Sequence, residues 1–84
     1  MNYIFKTTAV FKCIITLKSG AHRIIRMSID KVAKFNAAIR QARDLGLLNR
    51  RYSEFLNDLE LKAQEILSYR IINERTGEEF LSVA

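Results

Sequence analysis

The chain has no proline and no tryptophan, one cysteine, one histidine and three glycines among 84 residues. Each shortage excludes something. A single cysteine, Cys13, closes no internal disulfide, and with His22 as the only histidine no Cys/His zinc site can form. The glycines stand singly, so no Gly-rich phosphate loop is present. No stretch free of Lys, Arg, Asp and Glu exceeds five residues, which leaves nothing long and apolar enough to cross a membrane. Lys6 and Lys12 also interrupt the apolar N-terminal stretch where a signal peptide would need its core. A lone thiol on the apolar side of a strand behaves as a small hydrophobe, and the expected setting is reducing and cytoplasmic.

What is there suits one globular domain over residues 1–84, with 49% hydrophobic and 27% charged residues. The net charge of +5 is unevenly spread. Residues 1–50 carry ten Lys and Arg against Asp30 and Asp44, whereas residues 51–84 carry four against seven acids. A basic half of this kind points to nucleic acid or an acidic protein surface as partner, or to self-association.

The clearest element runs from Tyr3 to Leu17. Its odd positions are mostly apolar, among them Phe5, Phe11, Cys13, Ile15 and Leu17, and its even positions mix Lys6 and Lys12 with Ile4, Val10 and Ile14. This alternation predicts a half-buried β-strand. Lys18–Ala21 is a turn signal, and His22–Ile29 is a second strand with Ile25, Met27 and Ile29 on its apolar side. A three-residue loop, Ser19 to Ala21, places Ile15 opposite Ile25, Cys13 opposite Met27 and Phe11 opposite Ile29. A two-residue loop would oppose apolar to basic positions.

A helix is expected next. Ser28 or Asp30 can cap it, Val32, Phe35, Ile39, Ala42 and Leu45 form its apolar stripe, and Gly46 suits its C-terminal cap. Tyr52, Phe55, Leu56, Leu59, Ala63 and Ile66 share the face of a second helix. Leu59, Leu61 and Ala63 also alternate, so a short helix over 50–60 followed by an extended piece fits as well. Residues 67–73 and 78–83 read as a second hairpin turning at Glu74–Gly77. The expected fold is α+β in the order ββααββ. An antiparallel sheet of about four strands has one or two helices packed on one face.

Catalysis finds no support in these residues. His22 has no nucleophile in its motif context and reads as a solvated surface side chain, and Asp58, Glu60 and Glu65 read as exposed helix charge rather than a metal site. No cofactor is expected.

Two surfaces invite binding. Around the interhelix junction, Ala42 precedes Gly46 by four, and Leu45, Leu47, Tyr52 and Phe55 recur as a close helix crossing needs. The segment Ala42–Phe55 therefore resembles a helix-turn-helix, although Gln41 stands where an apolar residue is usual. The resemblance implies nucleic-acid contact by Asn49, Arg50, Arg51, Ser53 and Glu54 on a recognition helix. Lys31, Lys34, Arg40 and Arg43 extend the basic surface, and the chemistry expected is phosphate neutralisation with counterion release. The second surface is the outer side of the first hairpin, where Ile4, Val10, Ile14 and Ile24 stand among Lys6, Lys12, Lys18 and Arg26. It lacks the aromatics of an RNA-stacking sheet and suits a protein partner: a second copy in a homodimer, or a larger complex that the chain regulates or inhibits, as phage or mobile-element accessories do.

Overall fold

The computed structural model describes residues 10–84. The elements are β1 (Val10–Leu17), β2 (His22–Ser28), α1 (Ile29–Leu45), α2 (Arg50–Asp58), a single 3-10 turn (Ala63–Glu65), β3 (Ile66–Asn73) and β4 (Glu79–Val83). The strands form one open antiparallel sheet in the order β2-β1-β3-β4, an α+β arrangement of ββααββ type. The part of the expected first strand before Val10 lies outside the described residues.

The first hairpin keeps the expected parity and corrects the register by two residues. Cys13 faces Ile25, Phe11 faces Met27 and Ile15 faces Arg23. The loop still has three residues, but they are Lys18–Gly20. Gly20 donates to Leu17 O, Leu17 N donates to Ala21 O, and Gly20 has φ +95°. A three-residue hairpin loop closes with its last residue in a left-handed conformation, which glycine adopts without a Cβ clash. That requirement selects the loop ending on Gly20 over the one ending on Ala21. As a result Ile29 pairs with nothing on β1; it starts α1 and is 43% exposed.

Ser28 caps α1, its Oγ accepting from Lys31 N, and Gly46 ends it at φ +73° with its N–H on Ala42 O. The buried stripe is Val32, Phe35, Ala38 and Ile39. Leu45, expected in that stripe, is 64% exposed, because the last turn of α1 runs past the buried core beneath its middle.

The second periodic segment is a short helix and not a continuous one to Ile66. Asn49 caps α2 through its Oδ1 on Tyr52 N at 2.9 Å. At the other end Leu61 N donates to Leu56 O and Glu60 N to Asn57 O, while Glu60 takes φ +59°. This is a Schellman closure, with Leu56 and Leu61 both buried as its apolar contact. Arg23 adds to it by donating to the carbonyls of Leu59 and Glu60 at 3.0 and 3.1 Å. A cation at a helix C-terminus is favourable to the helix dipole.

The core collects Phe11, Cys13, Ile15 and Met27 from the first hairpin, Tyr69 and Ile71 from β3, and the inner faces of both helices. Phe35 meets Tyr69 edge to face at 4.9 Å, and the Tyr69 hydroxyl donates to Asn36 Oδ1. Burial pushes the Cys13 thiol and the Tyr69 phenol up to about 12 each, with Arg43 and Arg40 pulling Tyr69 the other way. The second hairpin turns as expected. Asn73 Oδ1 accepts from the backbone of Arg75 and Thr76, and Gly77 takes φ +80°.

Candidate functional site

The alternation that buries odd positions of β1 and β2 beneath the helices sends the even ones to the opposite side of the sheet. Cross-strand pairing places Ile24, Ile14 and Arg70 in one row with Ser82, and Arg26, Lys12 and Ile72 in the next with Glu79. Val10 stands at the end of the same face, 41% exposed. Ile24 is 63% exposed, and Ile14, Lys12 and Ile72 are half-buried by their neighbours. Among the described residues both helices pack on the other face, so this one is open. Lys18 leaves the face for the hairpin loop, and Ile4 and Lys6 lie outside the described residues.

Ion pairs cross this face. Arg26 reaches Glu74 at 2.7 Å, and Arg70 meets Glu79 at 2.8 Å. Arg70–Glu79 is exposed and Arg26–Glu74 has a half-buried carboxylate, and each pair contributes about 0–1 kcal/mol. Lys12 has no carboxylate partner among the described residues. The result is an aliphatic patch whose basic groups are partly matched by the chain's own acids. Ile72 and Arg70 were absent from the sequence-based surface. Only strand order reveals them, because β3 sits next to β1 although some fifty residues separate them in the chain.

The helices are joined by a short turn, Gly46–Asn49, whose polar side chains are largely occupied. Asn49 is the cap of α2, and its backbone N–H donates to Gln41 Oε1. Arg50 pairs with Glu54 one turn on, at 3.1 Å. Arg43 donates to the carbonyls of Leu67 and Ala84 and so ties α1 to the β3–β4 side. Lys34 lies over the Phe55 ring at 5.0 Å, which holds it on the α2 side. Lys31, Arg40 and Arg51 remain exposed without an ion-pair partner among the described residues. Ser53 is half-buried rather than displayed.

His22 is exposed at the start of β2, and among the described residues no three His, Cys, Asp or Glu side chains gather where a metal ion could be held. Among the described residues no helix is long and apolar enough to cross a membrane. No family model, curated protein or solved structure matches this chain.

Proposed function

We propose that the chain is a non-enzymatic binding protein that docks a partner protein on its open sheet face. The observation that carries this reading is the cluster of Val10, Ile14, Ile24 and Ile72 on the sheet face opposite the helix layer, which neither helix covers. Aliphatics gathered on one exposed face of so small a protein gain from being covered, and the lack of aromatics among them favours a protein over stacked bases. Lys12, which has no carboxylate partner among the described residues, supplies a positive charge that an acidic group of the partner complements, while Arg26 and Arg70 are already paired with Glu74 and Glu79.

The test compares the wild-type protein with an Ile14→Glu, Ile24→Glu double variant in affinity capture from the native cell, alongside sedimentation velocity. A partner retained by the wild type and lost by the folded variant supports the reading. A dimer that the double change dissociates makes the partner a second copy. Capture and mass both unaffected by the change would sink it.

A second reading, nucleic-acid binding on the helix side, is favoured by the exposed Lys31, Arg40 and Arg51, without ion-pair partners among the described residues, with Arg50 beside them. It requires affinity for duplex DNA or single-stranded RNA that falls steeply as salt rises, and that an Arg50→Glu, Arg51→Glu change removes. No binding at low salt excludes it.

A further inference from the structure

Beside the 3-10 turn Ala63–Glu65 three hollows abut one another. The largest, about 490 Å³, lies between the turn at Gly46–Leu48 and the start of β3 at Ile66 and Leu67. A second, about 230 Å³, continues along α2 to Asn57 and Lys62 and shares Leu48, Ser53, Ala63 and Gln64 with the first. The third, about 360 Å³, runs to Leu17–Ser19 at the first hairpin and shares Lys18 and Gln64 with the first. Gln64 borders all of them, so the hollows read as one elongated groove.

Its chemistry is uneven in a useful way. The lining mixes leucine, isoleucine and alanine about equally with polar and charged residues, and Leu47 and Leu67 remain 64% and 52% exposed there. Neither belongs to the core cluster or packs against it. Three cations, Lys18, Arg43 and Lys62, stand along the groove against one carboxylate, Glu65, among the described lining residues. No aromatic residue is among them.

We infer that this groove binds an extended, acidic peptide segment of a partner protein, with apolar side chains seated against Leu47, Leu48 and Leu67 and carboxylates at Lys18 and Lys62. An elongated trough suits a linear chain better than a compact ligand. An extended peptide alternates its side chains between two sides, so apolar and acidic residues in alternation meet the floor and the cationic rim together. The absence of aromatic platforms disfavours single-stranded nucleic acid, which shares the negative charge but needs stacking surfaces. This site is separate from the open sheet face and does not depend on it.

The probe is a labelled peptide of alternating Glu and Leu, with its Lys–Leu counterpart and a mixed-sequence single-stranded oligonucleotide as the other arms. The Glu–Leu peptide should saturate the wild-type protein and bind at least about tenfold more weakly to a Lys18→Glu, Lys62→Glu variant, with milder dependence on salt. Leu47→Ser, at an exposed position, should weaken it without altering the circular dichroism. Amide shifts on peptide addition should gather at Leu47, Ser53 and Gln64. The inference is overturned if the Lys–Leu peptide binds as well, if the charge reversals leave affinity unchanged, if the shifts gather at Ile14 and Ile24, or if the oligonucleotide binds these residues more tightly than the peptide.

Discussion

Glu60 is the one non-glycine residue at positive φ among the described residues, and it sits where a helix closure most favours glycine. Its N–H and that of Leu61 complete the closure of α2, and its carbonyl takes a bond from Arg23. The backbone earns its keep there while the Cβ does not. Glu60→Gly should therefore stabilise the protein by about 1 kcal/mol, read as a higher urea midpoint. An unchanged or lower midpoint would mean that the glutamate side chain has a role of its own. The alternation of Leu59, Leu61 and Ala63 allows a helix end near this position, but nothing in the sequence marks Glu60 as left-handed, since glutamate is a good helix former. Arg23 is equally hidden. It sits on the apolar side of β2 opposite Ile15, and only the fold of α2 back toward β2 gives its guanidinium two carbonyls to bind.

At the scale of elements, α2 is nine residues long, too short to hold together without its ends and its packing. Its N-terminal cap is Asn49, and Asn49→Ala should cost about 1 kcal/mol in a denaturant titration. A cost near zero would show that the Asn49 N–H bond to Gln41 and the burial of Leu56 position the helix without the side-chain cap. The first hairpin illustrates how far pattern reaches. Alternation settled that odd positions oppose odd ones, because a slip of one residue would turn every apolar side chain outward. A slip of two keeps all side chains on their faces, so alternation is blind to it. The left-handed requirement at Gly20 decides between those registers. The end of α1 was legible for the same kind of reason, since Gly46 acts through local backbone chemistry.

For the molecule as a whole, the buried thiol of Cys13 and phenol of Tyr69 couple stability to alkaline pH. Their ordinary values are 9.0 and 10.0, and burial raises both to about 12. Below about pH 9 both are neutral whether the chain is folded or not, and their contribution is fully present. Above that, the unfolded chain releases protons that the folded one keeps, so stability falls until the folded groups themselves ionise near 12. The slope is up to about 1.4 kcal/mol per pH unit for each group. Urea midpoints should hold steady up to pH 8.5, in keeping with the 9.0 of Cys13, and drop by pH 11. A Cys13→Ala variant should lose the part of the decline that begins near pH 9. A flat profile through pH 11 would show that neither group is kept neutral by the fold.

The sequence by itself determined the odd–even parity of the strands, the turn signals and the order ββααββ. Those are local matters of period and turn, and each is written within a few residues. Tertiary structure alone decided which strands neighbour each other and therefore which surfaces exist. Seating β3 beside β1 brought Arg70 and Ile72 to the face of Ile14 and Lys12, and drawing Arg43 to the β3–β4 side parted it from Lys34 at α2. The groove beside Gln64 has the same origin, for its walls come from the hairpin loop, the interhelix turn and the start of β3. Charge and apolar content are properties of residues, but a binding surface is a property of their adjacency. Adjacency between distant segments follows from how one core is shared among all the elements.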